Sequence, residues 1–345
     1  MGRINTMFNI KLLNMKKLFF GVVALVLMVC GCASTNSTEK YHSSRDNVIN
    51  VKDKIHEIDF GDVVLHNASI LCNLENYLVA IDHNSYDDMI FVFDKEDYHF
   101  LRSTGRWGQG PFEYVSIGNA IDNHQGGMFV SDFGSYQMRS YNLDSLVNDS
   151  TYTPFIKCNL IEKTIPTDFH YVNDTFSIAQ ITVPTSVNTF YQTIGIFNML
   201  TGETKIFDFA PRVDKQQFTF AASEKHRLVA ECNTHYDMVS IVDFDGNLQC
   251  NIYGPDFETT GLYTFSDCCF TNDYLLALYN GDNWTDYTQA HLCQVFNKNG
   301  DYVATLDLGY STFRLSYDET KNRLYLSFID TIQFGYLDLD EIALK

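Results

Sequence analysis

Residues 218–254 read FTFAASEKHRLVAECNTHYDMVSIVDFDGNLQCNIYG. Four short apolar runs can be marked on them. Phe218 to Ser223 suits an inner strand, and Arg227 to Cys232 a second. Asn233 to Asp237 is a polar turn, and Met238 to Phe244 is a third run. Asp245-Gly246 is a tight-hairpin dipeptide, and Leu248 to Tyr253 is the fourth run, closed by Gly254. Four antiparallel strands in about fifty residues make one supersecondary unit that cannot bury its apolar surface alone.

The same pattern recurs along the chain at that spacing. The equivalent second runs begin near Tyr77, Met128, Phe176, Leu228, Leu275 and Leu324. Helical periodicity is nearly absent, while 27 Phe and 21 Tyr favour strands. The expected fold is therefore all-β: a six-bladed β-propeller of four-stranded antiparallel blades. In the first unit the middle strands are Tyr77 to Ile81 and Ile90 to Phe93. In the fifth they are Tyr274 to Tyr279 and Leu292 to Phe296. The third unit is the loosest, with a long loop holding Pro184. The second has an extended outer segment from Asp144 to Thr153. The sixth stops one strand short. Ile55 to Phe60 alternates apolar and polar residues and is expected to supply that strand, which would hide an open sheet edge.

The ends and the composition set the compartment. Lys16 and Lys17 precede Leu18 to Val29, an uninterrupted apolar run of twelve residues. That is the length of a signal-peptide core and too short to span a bilayer. Val29-Cys30-Gly31-Cys32 follows, and a small residue before a cysteine at this place resembles a bacterial lipobox. The resemblance implies cleavage before Cys32 and a diacylglyceryl group on its sulfur, so the chain divides into a signal peptide (residues 1–31), a lipidated flexible tether (32–53) and the propeller (54–345). The expected location is the cell envelope, with the body lipid-anchored to the outer membrane and facing either the periplasm or the cell exterior. The formal charge is -19. So acidic a surface repels phosphates and excludes nucleic acid as a partner. Seven cysteines besides Cys30 and Cys32, an odd number at irregular spacing, form no disulfide framework. A monomer is expected.

One stretch carries a family resemblance. Between the first and second units the chain reads Gly105-Arg106-Trp107-Gly108-Gln109-Gly110-Pro111-Phe112-Glu113-Tyr114. This resembles the Gly-x-x-Gly-x-Gly-Pro-x-Glu stretch of six-bladed, TolB-like/NHL-like propeller lipoproteins of the Bacteroidota, in which a glycine is common where Phe112 stands. The resemblance implies a six-bladed envelope lipoprotein and little chemistry. The glycines permit positive φ and close chain approach, and Glu113 is placed to accept bonds from loop amides. No Lys-Ser/Thr follows, so this is no phosphate loop.

In a propeller the inter-blade crossovers share one face with the loops between second and third strands. The candidate binding residues on that face are Asp82, Tyr86, Arg106, Trp107, Glu113, Asp132, His235, Asp282 and Trp284. Aromatic rings beside carboxylates and amides suit a sugar or a peptide. The leading functional reading is a non-catalytic binding lipoprotein recognising a glycan, peptide or partner protein there. The alternative is a hydrolase or lyase with a metal-dependent acidic centre, in which Asp82 and Asp132 would hold a hard cation such as Ca2+. No catalytic residue is assigned, because neither a Gly-x-Ser-x-Gly elbow nor a His-Glu-x-x-His occurs.

Overall fold

The computed structural model describes residues 38–344, apart from 209–212, 214–216, 284 and 286–288. Three short strands come first: β1 (Glu39–Tyr41), β2 (Val48–Asn50) and β3 (His56–Glu57). Six four-stranded units follow. The first is β4 (Ile70–Asn73), β5 (Tyr77–Ile81), β6 (Asp88–Asp94) and β7 (Phe100–Arg106). The second is β8 (Ile117–Asp122), β9 (Gly127–Asp132), β10 (Gln137–Asn142) and β11 (Phe155–Asn159), with the short helix α1 (Leu143–Asn148) before β11. The third is β12 (Ile165–Asn173), β13 (Phe176–Ser186), β14 (Thr189–Asn198) and β15 (Glu203–Ile206). The fourth is β16 (Phe218–Ser223), β17 (Leu228–Asn233), β18 (Met238–Asp243) and β19 (Leu248–Tyr253). The fifth is β20 (Leu262–Phe270), β21 (Tyr274–Asn283), β22 (Ala290–Asn297) and the first half of β23 (Tyr302–Asp318). The second half of β23 opens the sixth unit, which continues through β24 (Arg323–Phe328) and β25 (Phe334–Asp338) and ends on β3.

Burial explains why each unit needs neighbours. Along β5, Val79 and Ile81 pack into an apolar cluster with the second sheet, while Leu78 and Ala80 pack with Tyr325 and Phe334 of the sixth. The two-residue period of a strand sends alternate side chains to opposite faces, so a sheet covered on both faces reads as a continuous apolar run. Among the described residues the core divides into six such clusters, one between each pair of adjacent sheets, the first and last included. The first and sixth sheets are also bonded directly: the Leu71 amide donates to Ser327 Oγ at 3.0 Å and the Asn73 amide to Ser316 Oγ at 2.8 Å. The molecule is a six-bladed β-propeller.

Four expectations need correction. Residues 39–53, read as part of a flexible tether, lie along the rim of blades four and five. β1 pairs parallel with β19, and β2 pairs parallel with β23. Val51 is fully buried in the cluster between blades five and six, and Ile49 packs against it. Arg45 enters the seam between blades four and five, 2.7 Å from Asp237, and both side chains are almost wholly buried. Its guanidinium also faces the rings of Tyr279 and Phe296. A polar segment holds to the body here through one buried ion pair and a few apolar side chains. The extended segment from Asp144 holds α1 instead, capped by Asn142, whose side chain accepts the Ser145 amide. Pro184 sits in the long β13–β14 hairpin opposite Phe190, not in a loop. The strand expected over Ile55 to Phe60 is shorter, with His56 and Glu57 paired to Tyr336 and Gly335 on the sixth sheet. The seven cysteines from Cys72 to Cys293 are free thiols. Cys32 lies outside the described residues.

A candidate binding face and the channel behind it

Several crossovers between blades are bonded to a neighbouring second-to-third-strand loop. The Trp107 amide donates to Asp87 O (2.9 Å), Phe133 to Ser116 O (2.8 Å), Thr234 to Gln217 O (2.9 Å) and Ile329 to Ser311 O (2.8 Å). These bonds gather the loops on one face.

Most acids proposed for this face are consumed in building it. Asp82 is 1% exposed and accepts from the His66 amide, the His66 ring and the Asn84 amide. Asp132 is fully buried and accepts from the amides of Val115, Ser116 and Gly134 and from Ser135 Oγ. Glu113 accepts the Gly110 amide at 2.6 Å, and a Cβ on Gly108 would stand 2.1 Å from its carboxylate. That contact accounts for the glycine spacing. The carbonyl of Glu113 takes a bond from Arg139, whose guanidinium lies over the Tyr114 ring at 4.3 Å. The nearby Phe112 has φ +65°, a left-handed conformation that favours glycine. His235 pairs its Nε2 with Gln217 Oε1 at 3.0 Å. Asp282 lies exposed near the end of β21, opposite Tyr263 of β20, its amide bonded to Asn280. Trp284 lies outside the described residues.

The structure does bring Tyr86, Arg106 and Trp107 together. The Tyr86 and Trp107 rings meet edge-on at 5.9 Å, 80% and 50% exposed, and Arg106 reaches Asp87 at 3.3 Å. Asp82 and Asp132 stand on separate blades. Among the described residues the one group of three donors close enough for a metal is Asp94, Asp97 and His99, in the β6–β7 turn. Its carboxylates already accept the amides of Glu96, Asp97 and His99.

Behind the loops the inner strands line a central channel crossed by an ion triad. Arg314 of blade six reaches Asp168 of blade three at 3.3 Å and Asp267 of blade five at 3.2 Å. Asp267 also accepts the Leu315 amide at 2.7 Å. Burial pushes the Asp267 carboxyl up to about 6 and raises Asp168 in the same direction, against the pull of Arg314. Burial, with Arg314 next, lowers the His83 imidazole, and burial takes His170 down to about 4. On the loop side of the triad is a cavity of about 250 Å³ lined by Gln180, Gln192, Gln217, Thr234 and Phe190. On the other side is one of about 630 Å³. Sequence reading missed the triad, since its members are far apart in the chain. Its local trace is a charge set inside a strand run, as in Thr312-Phe313-Arg314-Leu315.

Comparison with known proteins agrees with this architecture. A family model, DUF5128, described as a 6-bladed beta-propeller, matches residues 60–180. A crystal structure of a "Putative exported protein" from Bacteroides fragilis superposes with a TM-score of 0.52 at 13% identity, covering 84% of this chain and 88% of that one. Regucalcin from Agrobacterium tumefaciens, a calcium-binding protein, gives 0.55 at 9% identity over 84% and 95%. A DUF4221 family member from Bacteroides vulgatus gives 0.51 at 12% identity over 82% and 94%. At these identities the likeness is one of fold. No curated protein matches the sequence.

Proposed function

We propose that this is a non-catalytic binding protein of the bacterial cell envelope, lipid-anchored through Cys32, that takes a glycan, peptide or partner protein on its loop face. The observation that carries the reading is the solvent-exposed Tyr86–Trp107 pair beside Arg106. Large aromatic rings held in the open on a rigid scaffold offer stacking surface at little cost in conformational freedom. The amide- and hydroxyl-lined cavity on the same side of the triad supplies donors and acceptors suited to sugar hydroxyls. The exported neighbour from Bacteroides supports the envelope location, and Leu18 to Cys32 supports export and anchoring.

The acidic centre of a metal-dependent hydrolase finds less support. The carboxylates of Asp82 and Asp132 already accept several loop bonds each, and those of Asp168 and Asp267 already face a guanidinium. The test is a glycan and peptide array probed with the wild type and with Trp107→Ala. Binding that falls at least about tenfold in the variant, roughly 1.4 kcal/mol, supports the loop face. Binding indifferent to Trp107 and Tyr86 argues against it.

A further inference from the structure

The larger cavity opens on the side of the molecule away from the loops, among the turns joining first to second strands. Those turns form a connected rim. Lys225 Nζ donates to Asn272 Oδ1 at 3.0 Å, Asn272 Nδ2 donates to Glu319 O at 3.5 Å, and Lys95, from the β6–β7 turn, joins Asp318 at 2.9 Å. The rings of His124 and His170 lie 6.3 Å apart.

The charges on this lining are one-sided. Glu75, Asp122, Asp168, Glu224, Asp318 and Glu319 face it, against Lys95 and Lys225. Lys95 is buried against Asp318 and the carbonyls of Leu74 and Glu75. Among the described residues Glu75, Glu224 and Glu319 make no salt bridge, and all three are exposed. Two further lining residues hold a buried polar atom without a hydrogen-bond partner. Asn73 donates through Nδ2 to Tyr317 O, which leaves its Oδ1 as an acceptor without a partner, and His170 Nε2 also has none. Burial keeps His170 uncharged near neutral pH, so it adds no positive charge. Phe220, Phe270 and Tyr317 complete the wall.

A lining of acceptors, carboxylates and aromatic rings calls for a ligand that is cationic and rich in N–H donors. It does not suit a compact metal ion. Among the described residues no three acidic or histidine groups of this cavity bring their donor atoms within 4.8 Å of one another. An elongated ligand spans such a set. We infer that this second opening of the channel binds an organic cation bearing an alkylammonium or guanidinium group, either a free amine or the basic side chain of a peptide. Its volume lies in the range of about 300–1,000 Å³ common for small-molecule sites. The site is independent of the loop face, on the far side of the Arg314 triad.

Isothermal titration of the full-chain protein tests this with four probes: 1,5-diaminopentane, an end-capped Gly-Lys-Gly peptide, neutral 1,5-pentanediol and calcium chloride. The diamine or the peptide should bind, with the tighter of the two naming the source, and the diol should not. Binding should weaken when salt rises from about 50 to about 300 mM. It should fall at least about tenfold in the double variant Glu224→Gln, Glu319→Gln. Both positions are exposed, so the variant should melt like the wild type. Trp107→Ala should leave amine binding unchanged, which separates failure here from failure of the loop-face reading. The inference is overturned if neither amine binds, if the diol binds as well as the diamine, if calcium displaces the amine at equal concentration, or if the double variant binds like the wild type.

Discussion

Phe112 holds φ +65° on an exposed loop and is itself 44% exposed. A non-glycine residue in that region costs roughly 1–2 kcal/mol, partly offset because glycine gives the unfolded chain more freedom. Phe112→Gly should therefore raise stability by about 0.5–1 kcal/mol in urea denaturation; a loss would mean the ring packs usefully. Asp267 is the residue for pH. Its folded carboxyl titrates near 6, above the ordinary 3.8. The folded state thus holds a proton that the unfolded state releases. Its contribution to stability is complete below about 4 and is lost as pH rises through about 6. His170, lowered to about 4, acts oppositely and loses its contribution as pH falls from 6.5 toward 4. Comparing urea melts at pH 5 and pH 7, Asp267→Asn should change less favourably on acidification than the wild type. An identical pH difference in both proteins would refute the assignment. None of this was legible beforehand. Phe112 stood out as a residue where glycine is common, but its φ depends on the loop closing over Glu113. Asp267 is unremarkable until Arg314 is folded against it.

Among the elements, the β-hairpin pattern was the readable part. Residues 218–253 fall into β16 to β19 with bounds within a residue or two of those marked on the sequence, because alternation and the Asp245-Gly246 turn are local signals. The rim strap from β1 to β2 was not readable, because a polar segment betrays no partner that lies some two hundred residues away. Its key contact is Arg45 with Asp237, backed by Tyr279 and Phe296. Removing one member of a buried pair leaves the other unpaired, at a cost of about 3–5 kcal/mol. Arg45→Ala should accordingly lower the melting temperature and speed proteolysis within residues 38–53. A variant whose strap resists protease as before would show that Ile49, Val51 and the β-bridges hold it unaided.

At the scale of the whole molecule, the repeat of about fifty residues was enough to give the blade count, since a propeller's core is the same seam repeated. The functional surface was legible only in part. Tyr86 and Trp107 could each be assigned to the loop face from strand order, but their ring contact could not, and the channel triad needs blades three, five and six side by side. The acids once proposed for calcium already accept loop amides on separate blades. Thermal melts with millimolar calcium and with EDTA should coincide to within about a degree, well inside the several-degree shift that a tightly bound ligand gives. A calcium-dependent rise abolished by Asp82→Asn or Asp132→Asn would instead restore the metal reading.

β23 runs unbroken from Tyr302 to Asp318, first as the outer strand of one blade and then as the inner strand of the next. Between β7 and β8, β11 and β12, and β19 and β20 a loop intervenes at that step. The fifth and sixth blades therefore share one strand, which turns from the first to the second around Gly309 at φ +64°, where its register with β22 also shifts. Arg314 projects from that shared strand toward the opposite wall, and its grip on Asp168 ties the strand to blade three. Any widening of the bore between blades six and three has to part that one guanidinium from that one carboxylate.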